Sequence, residues 1–181
     1  VREFCEDEDG NLWIGTEEGL NRYDGIMIKS YSVCPQAAGK YISSLYGTKK
    51  NIWIGTDEGI YIYAYATETF TYFDLTTPNN VRITSIVNHI LQDKDGNLWF
   101  STNGQGLFRY NLSKNYLEQY EFTSAFGIVA STMADSDNQI WALTNQGESG
   151  VYKLNKAENK FEPFGLLYNA GNHHSQALAM L

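Results

Sequence analysis

Between residues 87 and 122 the chain alternates apolar-rich runs with polar breaks: VNHILQD, NLWFST, GLFRYN and YLEQYEF, with KDGN and NGQG among the separators. Each run has the length of a strand and is too short for a stable helix. Asp-Gly in the first break accepts the positive φ of a tight hairpin. The pattern predicts four antiparallel strands joined as a meander, strands a to d of one unit.

The same phrase recurs as EDEDGNLWIGTEEGLNRY (6–23), GTKKNIWIGTDEGIYIY (47–63) and ADSDNQIWALTNQGESGVYKL (134–154). Trp13, Trp53, Trp99 and Trp141 mark the copies at separations of 40, 46 and 42 residues, within the range of propeller blades. Thr16, Thr56, Thr102 and Thr144 share a column, as do Leu20, Ile60, Leu107 and Val151. The b–c loop varies in length while its flanks do not, as a surface loop between packed strands does.

Strand b is apolar at successive positions, so both sheet faces must be covered. Stacking the sheets as blades achieves this. The tryptophans are then expected as wedges between blades, each contributing ~2–3 kcal/mol by burial. Gly15, Gly55 and the small Ser101 are expected to permit close approach of the next sheet. The predicted class is all-β: a β-propeller fragment of about four four-stranded antiparallel blades, part of a larger, seven-bladed ring. A single segment over 1–181 would hold blades 1–33, 41–76, 83–122 and 127–164, with 175–181 as the first strand of a further blade. Open blade faces would favour self-association.

Composition narrows the function. A net charge of −8 and no basic stripe argue against a nucleic-acid partner. No apolar run approaches the roughly 20 residues that span a bilayer. The two cysteines leave the redox compartment open. Aligned on the tryptophans, Cys5 shares a column with Leu45, Leu91 and Met133 and should act as a small buried hydrophobe. Cys34 follows the outer strand, beyond disulfide reach of Cys5 unless its loop returns inward.

The stretch D-G-N-L-W-I-G-T-x-x-G-L-x-x-Y-D, intact from Asp9 to Asp24, resembles the two-component regulator propeller repeat. Copies at 49–63, 95–111 and 137–155 resemble it with substitutions: Lys49-Lys50 for Asp-Gly, Ser101 for Gly, and Ala142-Leu143 in the last. The resemblance implies a periplasmic sensor region of a hybrid two-component system histidine kinase. Its parent would be anchored in the inner membrane through parts not present here. Such a sensor recognises a glycan breakdown product, often an oligosaccharide, and regulates polysaccharide-utilisation genes.

Catalysis would require convergent acids, a nucleophile with its base, or a metal cluster. Asp7, Asp9, Asp93, Asp95, Asp135 and Asp137 all fall in the a–b turn, where Asp shapes a hairpin. Asp-x-Asp-Gly-Asn at 7–11 and 93–97 hints at calcium but lacks the loop and closing Glu of an EF-hand. The sialidase turn Ser-x-Asp-x-Gly-x-x-Trp fails at Glu8 and Lys94. His89, in a column with Glu3, Ser43 and Ser131, reads as a channel residue, and His173-His174 has no third zinc ligand.

No catalytic residue, metal or cofactor is therefore assigned. By analogy with other propellers, a ligand is expected on the face of d–a and b–c loops, at Tyr41, Arg82, Asn103, Gln105, Gln146, His173 and His174. Tyr or His would stack on a sugar ring, and Arg82 would meet a carboxylate or sulfate. The rival readings are a glycan-cleaving propeller enzyme and a purely structural propeller with ligand bound elsewhere in the receptor.

Overall fold

The computed structural model describes residues 1–31, 41–122, 127–144 and 150–166. They form four four-stranded antiparallel sheets and, among the described residues, no helix. The first sheet runs β1 (Glu3–Glu6), β2 (Leu12–Thr16), β3 (Gly19–Tyr23) and β4 (Ile28–Tyr31); the second β5 (Ile42–Gly47), β6 (Asn51–Thr56), β7 (Gly59–Ala64) and β8 (Thr69–Tyr72). The third comprises β9 (Val87–Gln92), β10 (Leu98–Thr102), β11 (Leu107–Asn111) and β12 (Tyr116–Tyr120); the fourth β13 (Val129–Ala134), β14 (Ile140–Thr144), β15 (Gly150–Asn155) and β16 (Lys160–Leu166). Spatial order follows chain order in each sheet, the up-and-down meander of a propeller blade. Cys34, Gln146, His173, His174 and 175–181 lie outside the described residues.

The chain divides into two compact units, Val1–Ile90 and Leu91–Leu181. In the first, fully buried Trp13 on β2 packs with Leu20 and with Ile42, Leu45, Ile52, Ile54 and Tyr63 of the second sheet. In the second, Trp99 on β10 packs with Leu107 and with Ala142, Tyr152 and Leu154 of the fourth. Each indole thus sits between two sheets, where truncation would leave a cavity. Trp53 is buried against Phe73, and Trp141 is half-buried with its ring against Phe164.

The small-residue column after Trp is a close-approach surface. A Cβ on Gly15 would lie 2.5 Å from Ile42 Cγ2 of the next sheet, and one on Gly55 2.9 Å from Val87 Cβ. Ser101 exploits the same proximity differently: its hydroxyl shares a buried 2.6 Å hydrogen bond with Thr132 Oγ1.

One column shifts. Cys5 and Met133 stand opposite Trp13 and Trp141, but Tyr46, not Leu45, stands opposite Trp53. The a–b turn of the second sheet is one residue shorter, and a register irregularity between Ile42 and Ser44 accompanies the change. Cys5 does pack against the Trp13 cluster, and burial pushes its thiol pKa up to about 12.

Candidate functional site

The b–c loops are closed by the threonine column. Thr16 Oγ1 donates to the Gly19 carbonyl at 2.9 Å and accepts from the Glu18 amide at 3.1 Å. Thr56 repeats this with Gly59 and Glu58, Thr102 with Gly106 and Gln105. The hydroxyl supplies the partners a short loop would otherwise take from water. The tips therefore project in defined positions: Glu17, Glu18, Asp57 and Glu58 exposed in the first unit, Asn103 exposed and Gln105 half-buried in the second.

Each described candidate on this face already has a structural role. The Arg2 guanidinium lies 5.1 Å from the Tyr41 ring centroid and pairs with Glu17 at 2.5 Å. Arg82 pairs with Asp74 at 3.0 Å, and its backbone bridges Thr76. Asn103 bridges Ile128, and the Gln105 carbonyl accepts from Gln119 Nε2 at 2.8 Å. Tyr41 and Arg82 belong to the first unit, Asn103 and Gln105 to the second. With both arginines of the first unit's face beside carboxylates and four acidic tips nearby, that surface suits a neutral polyhydroxylated ligand better than an anion.

The a–b turns hold a repeated polar arrangement. Asp7 accepts from the amides of Asp9 and Asn11 at 3.1 and 2.8 Å, and its second oxygen accepts the Trp13 indole N–H at 2.8 Å. Asp93 does the same for Asp95, Asn97 and Trp99, and Asp135 for Asp137, Gln139 and Trp141. One carboxylate thus shapes the hairpin and anchors the wedge. The left-handed position is Gly10 (φ 79°), Gly96 (φ 81°) or Asn138 (φ 58°), residue types that tolerate it. In the second sheet Gly47 occupies the Asp position, and Thr48 Oγ1 closes the shorter turn by accepting from the Asn51 amide at 3.1 Å.

Burial alone would raise the Asp7 pKa, but the bonds from Trp13 and Asn11 outweigh it and the carboxyl stays below its ordinary value. Asp135 is lowered too, first by the Trp141 indole and then by the Gln139 amide. Burial lowers His89, favouring its neutral form. Among the described residues, no group of three or more His, Cys, Asp or Glu side chains could hold a metal ion.

A cation faces three of these indoles from strand c. The guanidinium carbons of Arg22 and Arg109 lie 5.7 and 5.6 Å from the Trp13 and Trp99 rings, and Lys153 Nζ lies 5.3 Å from Trp141. The sequence reading missed them. The signal was the Arg-Tyr pair at 22–23 and 109–110, two places after the aligned Leu20 and Leu107.

The family profile described as two component regulator propeller matches residues 1–18 and 79–104, the segments carrying the Asp–Trp anchors of the first and third sheets. Those two segments are two-component regulator propeller repeats, and the other two sheets are similar to them. A histidine kinase of Formosa agariphila is 32% identical over 146 residues, covering 76% of this chain and 10% of that protein. The solved extracellular domain of a hybrid two-component system from B. thetaiotaomicron superposes with a TM-score of 0.77 at 22% identity, over 94% of this chain and 22% of that one. A catalytically inactive virginiamycin B lyase from Staphylococcus aureus, solved with quinupristin, gives 0.73 at 16% identity over 93% and 56%. The repeats here therefore span about a tenth of the kinase relative and under a quarter of the extracellular domain.

Proposed function

We propose that these repeats form a ligand-sensing propeller segment in the periplasmic region of a hybrid two-component histidine kinase. In this reading the segment helps recognise a glycan breakdown product, and ligand binding regulates polysaccharide-utilisation genes through kinase parts of the parent. The observation carrying the proposal is the repeat itself: an Asp that shapes the turn and holds an indole six residues on, in three of four sheets. The kinase relative and the two-component extracellular domain support it.

The segment's role is binding, not turnover. A ligand can switch a kinase only by favouring one arrangement of the receptor over another, so a rigid blade with projecting loop tips suffices. Neutral oligosaccharides would meet the first unit through its acidic loop tips, with Tyr41 stacking once Arg2 shifts aside, or the second unit through Asn103 and Gln105.

Calorimetric titration of an oligosaccharide panel against the full ectodomain and against residues 1–181, with product analysis, tests this. Saturable heat without new products is expected. Product formation would replace the sensor with an enzyme of the lyase type. Binding by the whole ectodomain but never by this segment would make these blades structural.

A further inference from the structure

The two seams between paired sheets share one layout with one reversed charge. In the second unit Arg109 on β11 stands opposite Glu118 on β12, and the two pair at 2.5 Å. Glu118 also accepts from Asn159 Nδ2 at 2.6 Å, and the one hydroxyl hydrogen of Tyr120 is shared between Glu118 Oε2 at 2.9 Å and Asn159 Oδ1 at 2.8 Å. Asn159 sits at φ 51° in the turn before Phe161. The carboxylate is the hub, and the ion pair is about three-quarters buried, its side chains 28% and 22% exposed.

The first unit reproduces the frame. Arg22 on β3 takes the place of Arg109, Tyr31 that of Tyr120, and Phe70 that of Phe161. Glu68, at φ 50°, takes that of Asn159. The hub position is Lys29, directly opposite Arg22. Like charges opposed across a strand pair repel. Lys29 turns instead toward Glu68, 3.8 Å away and with both side chains more than half exposed, and toward the Tyr31 ring at 4.8 Å. Arg22 lies over the Trp13 and Tyr31 rings. Its Nε is buried without a hydrogen-bond partner among the described residues. A buried donor left unmade is costly, and a charged one more so.

We propose that this seam is an anion site that takes the carboxylate of a small ligand, such as a uronic acid. The ligand carboxylate stands where Glu118 stands in the other unit, accepting from the Arg22 guanidinium and neutralising the Arg22–Lys29 repulsion. Glu68 answers Lys29 and the Asp24 carboxylate also acts on Arg22, so what the site offers an anion is the guanidinium's local donors and not a net positive field. Its solvent-open rim at Lys29 admits the ligand, while the Trp13 and Tyr31 rings support the guanidinium from below. The proposal does not depend on the sensor reading, since it concerns this seam alone.

The Arg22 Nε–Hε resonance of the chain, titrated with sodium acetate and sodium D-glucuronate at constant ionic strength, reads the site directly. A saturable shift is expected with both. It should weaken at least ~10-fold in Lys29→Glu, which supplies its own carboxylate, and strengthen ~2–3-fold in Glu68→Gln, which removes the competitor. Thermal unfolding of both variants establishes that they are folded. A linear drift equal to that of sodium chloride, or saturation unchanged in Lys29→Glu, overturns the site.

Discussion

The seam under Trp13 and the seam under Trp99 solve the same packing problem with different electrostatics. Both bury an indole almost completely, anchor its N–H on an Asp six residues earlier, and cover it with an arginine. Around Trp99 the outer strand returns a carboxylate, and a phenol and an amide complete a closed network. Around Trp13 it returns an ammonium, and the space is filled by rings: Tyr63 lies 5.1 Å from Trp13 and 4.8 Å from Phe70, where the other seam has Leu154. The difference teaches that the wedge and its anchor are what the fold demands, while the rim is free to be either a structural lock or an open site.

If that division is right, Trp13→Ala and Trp99→Ala should each cost ~3–5 kcal/mol in chemical denaturation. A loss below about 1 kcal/mol at either seam would break the equivalence. Next in size is Glu118→Lys, which imposes the first unit's charge pattern on the second. It removes the hub of a mostly buried pair and sets two cations face to face, with an expected loss of ~2–4 kcal/mol by urea unfolding. The reverse exchange, Lys29→Glu, should stabilise by ~0.5–1 kcal/mol, as an exposed pair joined to a partly buried guanidinium would. A destabilised Lys29→Glu would show that the first seam cannot house a carboxylate.

The smallest expected effect lies at the anchors. Asp7 and Asp135 have folded pKa values depressed below 3.8, so the stability they contribute is complete above about pH 4 and is lost as pH falls through the depressed values. Asp7→Asn should therefore flatten the acid limb of a melting-temperature profile below pH 4 while leaving the neutral limb parallel to wild type. An unchanged acid limb would separate the indole bond from the titration.

Much of the fold was legible because period and turn chemistry are local. Four tryptophans in register, Asp-Gly before strand b and Gly before strand c predict four meanders, and four sheets are found. The small residues after Trp announced close approach, and Ile42, Val87 and Thr132 are the groups approached. The alignment failed at Leu45 because a turn one residue shorter shifts pairing without altering the apolar pattern. The site was less legible. Arg82 looked like an anion receptor, yet folding places it against Asp74, eight residues earlier. Arg22 carries no mark in the sequence beyond the Tyr that follows it.

By itself the sequence determined the repeat, the strands and the identity of the wedges, since each depends on residues within one blade's length of chain. That the turn aspartates also grip indoles, that Tyr41 and Arg82 are already engaged, and that Arg22 meets a lysine where Arg109 meets a glutamate was decided only by tertiary structure. The reason is physical: a side chain's charge is written in the chain, but its free energy depends on which opposite charge, ring or solvent the neighbouring strand and sheet bring within a few ångströms.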